Sequence, residues 1–179
     1  MTPAQIAALV GCAVLVFWAV GAYNRLTGLR DDIAKAFVAV DAQVQHRHAL
    51  LLQWAGAIHA AVGQAPALYE AALAACAQLQ SACEGLRERP SAHSAATHWR
   101  LAEHDLAVAR QHLQAEWPAP QQHGLEITAL ADQLSVADST LAYAGGQFNA
   151  ATQAYNEAIR QFPTRLVAAA FGFQAAGTL

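Results

Sequence analysis

An apolar residue recurs at alternating intervals of three and four between Ile127 and Phe162. The positions are Ile127, Leu130, Leu134, Ala137, Leu141, Ala144, Phe148, Ala151, Tyr155, Ala158 and Phe162. This heptad spacing predicts a long helix with one face packed against other helices. From Ala137 on, alanines alternate with large residues, which lets neighbouring helices approach closely. Gly145 and Gly146 lie within this segment and are consistent with a bend or a close helix contact.

Three further apolar stripes precede this one and predict three more helices. They comprise Leu26, Leu29, Ile33, Phe37, Val40, Val44, Leu51, Trp54, Ile58 and Val62, then Leu68, Leu73, Cys76, Leu79, Cys83 and Leu86, then Trp99, Leu106, Leu113 and Trp117. Turn-forming stretches separate the segments at residues 62–66, 85–93 and 117–124. Each helix has one apolar face, so the sequence predicts an all-α, antiparallel up-and-down bundle of about four helices.

The N-terminus carries no charged side chain from Met1 to Asn24. The run IAALVGCAVLVFWAVGAY supplies about eighteen residues, near the length that a helix needs to cross a bilayer. Trp18 and Tyr23 stand toward its end, where aromatic residues favour the membrane interface. We therefore expect a transmembrane anchor over residues 1–23, continuing without a break into a bundle over residues 24–163. An apolar tail over residues 164–179 follows.

Two other interpretations of the N-terminus stay open. A cleaved signal peptide normally has a basic residue before its apolar core, and none occurs here. The sequence LVGC, which ends at Cys12, imitates a lipoprotein cleavage site, but the apolar run continues beyond it. For a retained span, Arg25, Arg30 and Lys35 predict that the N-terminus lies outside and the body in the cytoplasm.

The composition argues against several classes of function. The net charge of −3 and the lack of a basic cluster disfavour nucleic-acid binding. Cys76 and Cys83 are seven residues apart on one helix, about 10 Å, too far for a disulfide bond. The eight histidines show no metal-binding spacing, and no nucleophile elbow, phosphate loop or dinucleotide fingerprint occurs. We expect no enzyme activity, no cofactor and no metal.

The polar residues of the first body helix allow different interpretations. Asp41, Gln45 and His48 share one face, while Gln43 and Arg47 form an i, i+4 pair on another. Asp41 and His48 are two turns apart, about 10 Å, which is too far for direct proton transfer. A polar flank that fixes helix register, or a face that binds a protein, is the better interpretation.

Two distant stretches resemble the LemA family, YNRLTGLRDDIAKAFVAVDAQVQHRH from Tyr23 and FNAATQAYNEAIRQFPTRLVAAAFGF from Phe148. The resemblance implies a single N-terminal membrane helix, an antiparallel bundle and no defined enzyme activity. It also points to a set of interaction or register residues: Tyr23, Asn24, Arg30, Asp41, Gln43, Arg47, Asn149, Tyr155 and Asn156. The chain departs from the family pattern at ALLLQW, residues 49–54, where an Asp, a Pro and an Asn are usual.

From these features we expect a membrane-anchored scaffold or adaptor at a bacterial inner membrane. Its partners would be membrane lipid, a membrane-associated protein and, for the small-residue face of the anchor, a second copy of the chain. A bundle that binds lipid or another apolar ligand is the alternative. Pro163 should end the last long helix, and the following RLVAAAFGF could fold back near the membrane surface.

Overall fold

The computed structural model describes residues 2–62, 66–115 and 124–179, without the side chains of Val62 and Pro66. These residues form five helices and no strand: α1 (Pro3–Val62), α2 (Pro66–Glu88), α3 (His93–Ala115), α4 (Gly124–Arg160) and α5 (Thr164–Ala170). The all-α prediction is confirmed. The break predicted at 85–93 falls between α2 and α3. Those at 62–66 and 117–124, with Trp117, lie mostly outside the described residues.

Helix α1 joins the predicted anchor to the bundle without interruption. Its N-terminal part contains an 18-residue window with a mean hydropathy of 2.2, and none of that window is buried. It is long and apolar enough to cross a membrane. Burial begins at Ala22 and then recurs with helical spacing, because from there α1 contacts the rest of the bundle.

Helices α1 and α4 form the main packed pair and run antiparallel. The Phe37 and Phe148 rings meet edge to face, with centroids 6.2 Å apart. Leu26 and Ala158 share a smaller apolar cluster. Leu26 comes eleven residues before Phe37, whereas Ala158 comes ten residues after Phe148, as an antiparallel pair requires. The stripes predicted for these helices supply most of the core. Phe162 is the exception: it is 72% exposed, because α4 ends at Arg160 and the seam ends with it.

Helices α2 and α3 form the second pair, and α2 also packs on α1. Cys76 and Cys83 are free thiols buried on this side of the core, as core cysteines should be. Helix α4 continues without interruption through Gly145 and Gly146, and a Cβ added at either would meet no atom within 4 Å. These glycines therefore do not mark a close helix contact.

Candidate functional site

The last residues of the chain lie in an extended conformation along α4, where two asparagines hold their backbone. Asn156 donates from Nδ2 to the carbonyl of Ala176 at 2.9 Å and accepts the Ala176 N–H at 2.8 Å. Asn149 forms the same pair of bonds with Leu179, at 2.9 Å and 2.8 Å. The Tyr155 hydroxyl donates to the Gln174 carbonyl at 2.9 Å. We call Asn149, Tyr155, Asn156 and the bound residues 174–179 the C-terminal clasp.

The spacing of the two asparagines explains why the clasp closes. Seven residues of an α-helix rise about 10.5 Å, and three residues of extended chain, from Ala176 to Leu179, span about 10 Å. The side chains of Asn149 and Asn156 therefore meet equivalent backbone groups three residues apart. They lie on one face of α4 because seven residues complete almost two turns. Each asparagine side-chain amide pairs with one backbone N–H and one backbone C=O. The clasp therefore binds the backbone of residues 174–179 and not their side chains.

Gly177 fixes the other side of the clasp. A Cβ at this position would lie 2.6 Å from the Cβ of Ala96 and 3.0 Å from the Cα of His93. The extended segment therefore runs directly against the first turn of α3, and no side chain fits between them. Through this contact the C-terminal residues connect α4 with α3.

An aromatic cluster lies between the clasp and the exposed part of α1. The ring of Tyr23 packs edge to face on Phe171 and Phe173, with centroids 5.0 Å and 5.6 Å away. The Arg30 guanidinium lies 5.9 Å from the Phe173 ring centroid and donates to the Ser91 hydroxyl at 3.4 Å. Tyr23 and Arg30, both predicted interaction residues, thus contact the C-terminal segment.

A second polar network crosses the middle of the bundle. Arg47 of α1 is only 5% exposed and binds the carboxylates of Glu103 on α3 and Asp138 on α4, the latter at 3.3 Å. Arg110 of α3 binds both Asp138 oxygens, at 3.2 Å and 3.0 Å. We call Arg47, Glu103, Arg110 and Asp138 the mid-bundle ion cluster. Its two cations and two carboxylates balance, as burial of charge requires.

Asp41 pairs with α2 rather than with His48. Its two carboxylate oxygens accept from the Arg87 guanidinium at 2.9 Å and 2.7 Å. This hydrogen bonding raises the pKa of Arg87. Burial lowers the pKa of His48, which keeps its imidazole neutral at physiological pH. The pair of bonds to Arg87 fixes α1 against the C-terminal end of α2.

A family model for the LemA family matches residues 36–179. The chain belongs to the LemA family. No curated protein and no solved structure is significantly similar to it. The matched residues include the mid-bundle ion cluster and the whole C-terminal clasp. Tyr23, Asn24 and Arg30 precede the match, so the family assignment does not extend to them.

The predicted site residues include Asp41 and Arg47 but none of the charged residues that they bind. Glu103, Arg110, Asp138 and Arg87 were not among the predicted site residues. One signal was present: Arg47 occupies a stripe position of α1, three residues after Val44. A charge at a core position needs charged partners on the facing helices. Among the predicted residues, Asn24 is exposed and Gln43 half-buried, and neither makes a side-chain hydrogen bond within the described residues.

The cavities of this LemA protein are small or lie at the surface. Grooves of about 400 Å³ and 560 Å³ run between α2 and α3, and polar residues such as Gln78, His98 and Asp105 line them. A third cavity of about 230 Å³ lies beside Trp54, Ile58 and Ile127. Within residues 2–62, 66–115 and 124–179 no cluster of three His, Cys, Asp or Glu residues could hold a metal ion.

Proposed function

We propose that this LemA family member is a membrane-anchored scaffold or adaptor, which acts by protein–protein interaction at a bacterial inner membrane without catalysis. The observation that carries the proposal is the continuity of α1. One helix leaves an exposed apolar span and enters the core of the bundle with no turn between them. A continuous helix holds the bundle close to the bilayer at a defined rotation, which suits the presentation of helix faces to neighbouring membrane proteins.

Charged side chains that bind one another within the bundle support a structural role. Asp41, Arg47 and Asp138 all bind side chains on other helices of the same bundle. Such pairs fix the order and register of helices, and each consumes an acid or base that a reaction would need free. The outward faces, by contrast, carry scattered large apolar residues such as Val38, Val136 and Tyr143.

Charge supports the orientation that we propose. Arg25, Arg30 and Lys35 directly follow the span, whereas no basic side chain precedes it. The positive-inside rule then puts the bundle in the cytoplasm and the N-terminus outside. Protease added to the periplasmic side of intact spheroplasts should leave the bundle intact; digestion of residues beyond Arg25 would reverse the proposed topology.

An apolar-ligand bundle is the second candidate, and the cavity near Trp54 is the observation that bears on it. Its volume of about 230 Å³ is below the range of roughly 300–1,000 Å³ that is usual for ligand pockets. The grooves of about 400 Å³ and 560 Å³ between α2 and α3 reach that range, but they are open to solvent and do not enclose a ligand. The cavities of the described residues therefore support the adaptor better. Lipid that remains with the purified bundle in fixed stoichiometry, and that is lost in Ile58→Trp, would favour the ligand-binding function instead.

Photo-crosslinking in native membranes tests the adaptor function directly. A photoreactive phenylalanine is placed in the full-length chain at Val38 or at Leu52, both exposed on α1, and separately at Val136 or Tyr143 on α4. If the protein is an adaptor, one membrane protein should crosslink to the probes on one of these faces and not to those on the other. Crosslinks to lipid and to the chain itself alone, from every position, would contradict the proposal.

A further inference from the structure

The surface around α5 exposes three large apolar side chains that the bundle leaves mostly uncovered. Phe162, Leu166 and Phe171 are 72%, 55% and 61% exposed. The other side of α5 packs against the bundle, and there Thr164, Val167 and Ala168 are buried. Leu166 lies on α5, and Phe162 and Phe171 lie just before and just after it. Large apolar side chains that stay exposed together normally mark a contact surface. We call Phe162, Leu166 and Phe171 the α5 apolar face.

The position of the α5 apolar face identifies what covers it. Phe171 packs on Tyr23, with ring centroids 5.0 Å apart. Tyr23 is the last aromatic residue of the span and precedes the first charged residue, Arg25, by two positions. Ala168 of the buried side meets Leu26, the first fully buried residue of α1. The face therefore lies beside α1 at the level where the apolar span ends.

The charges around the face fit a lipid headgroup layer. Arg160 and Arg165 flank it and are exposed, and the Arg165 guanidinium lies 6.0 Å from the Phe162 ring centroid. Within the described part of the chain, neither arginine forms a salt bridge with a carboxylate. Arginine beside exposed aromatic and leucine side chains is the pattern of interfacial segments that bind anionic lipid.

We infer that the α5 apolar face inserts into the headgroup–acyl boundary of the bilayer that α1 enters. This inference rests on the membrane anchor of the proposed function. Interfacial segments bury their apolar side about 5–10 Å into this boundary. At that depth the side chains of Phe162, Leu166 and Phe171 would lie among the upper acyl chains. With α1 as the first attachment and the α5 face as the second, the bundle is held at one tilt to the membrane plane rather than swinging on a single helix.

A fluorescent probe at Leu166 tests the inference in the full-length protein. Cys12 is replaced by Ser, and Leu166→Cys is labelled with an environment-sensitive nitrobenzoxadiazole dye. Cys76 and Cys83 stay unlabelled because both are buried, and burial raises the pKa of each thiol, that of Cys83 to about 11. The matched control is Val136→Cys, 68% exposed on α4. Both proteins are placed in nanodiscs of phosphatidylcholine with phosphatidylglycerol.

The expected result is a blue shift and quenching by a shallow doxyl-labelled lipid for the probe at residue 166, with neither at residue 136. Arg160→Gln with Arg165→Gln should reduce the quenching at residue 166. A water-like, unquenched probe at residue 166 in protein that the nanodiscs retain would overturn the inference while leaving the anchor intact. Protein that nanodiscs do not retain would instead overturn the anchor and the inference together. A blue shift without lipid quenching would also overturn it, since protein rather than lipid would then cover the face.

Discussion

The mid-bundle ion cluster and the C-terminal clasp are both polar networks, but they stabilise different things. The ion cluster buries charge between three helices, with Arg47 at its centre. The clasp uses neutral amides of one helix to hold an extended segment. Removing one member of a buried ion pair leaves an uncompensated charge, whereas a lost amide bond can be replaced by water when the segment opens. We expect the first network to control global unfolding and the second to control local opening.

Arg47→Ala should have the largest effect. Among the described residues, it leaves Glu103 without an ion-pair partner and Asp138 with Arg110 alone. Breaking buried ion pairs costs about 3–5 kcal/mol, and we expect about 3 kcal/mol because both carboxylates keep some contact with solvent. Urea unfolding of the full-length protein, followed by circular dichroism, measures the change.

Arg89→Ala is the matched control, because Arg89 is exposed and has no ion pair within the described residues. An unfolding midpoint for Arg47→Ala equal to that of the control would show that the cluster contributes no net stability. In that case the distinction between the two networks would disappear.

Gly177→Ala should open the clasp without unfolding the bundle. The new Cβ would meet the backbone of His93 at 3.0 Å and Ala96 Cβ at 2.6 Å, so the extended segment must move away from α3. Overpacking of this kind costs about 1–3 kcal/mol. Hydrogen exchange should show faster exchange at residues 174–179, while the α1 and α4 amides keep their protection. Faster exchange throughout α4 would mean that the clasp and the core open together.

Asn156→Ala should have a smaller effect of the same kind. It removes both hydrogen bonds to Ala176, and water can satisfy the freed backbone groups once the segment lifts, so we expect about 1–2 kcal/mol. Exchange at Ala176 should accelerate more than exchange at Leu179, which Asn149 still holds. Gln153→Ala, at an exposed position of the same helix, is the control and should leave the exchange of both amides unchanged.

How far the sequence predicted these two regions follows from their chemistry. Apolar periodicity predicted the α1 and α4 faces correctly, because burial of a stripe depends on local spacing alone. Phe162 was assigned to the seam wrongly, because the periodicity continues past the point where Pro163 ends the helix. Asn149 and Asn156 were predicted as interaction or register residues without a partner, and their partners are backbone groups of an extended segment of the same chain. A hydrogen bond to a backbone group does not depend on the identity of the partner residue, so the sequence cannot predict it. The partners of Arg47 depend on how α3 and α4 are rotated about their axes relative to α1, which the sequence does not give either.

Gly146→Ala should stabilise the protein and sharpen the contrast with Gly177. Gly146 is exposed within α4, and a Cβ there would meet no atom within 4 Å. Alanine in a helix interior is favoured over glycine by about 0.5–1 kcal/mol, so the thermal midpoint should rise. A lower midpoint would indicate that this surface of α4 bends or binds a second copy of the chain.

Acidification should weaken the middle of the bundle slightly and leave the clasp unchanged. Burial lowers the pKa of His48 below its ordinary value of about 6.5. The unfolded chain therefore binds a proton at a higher pH than the folded chain does, and stability falls as the pH drops through 6.5. The free energy of unfolding, measured between pH 7.5 and pH 5.5, should fall more steeply for the wild type than for His48→Gln.

The clasp contains amides and a phenol that do not titrate in this range, so hydrogen exchange at residues 174–179, corrected for intrinsic rates, should stay constant. Opening of the clasp on acidification would show that a titrating group elsewhere in the bundle is coupled to the clasp.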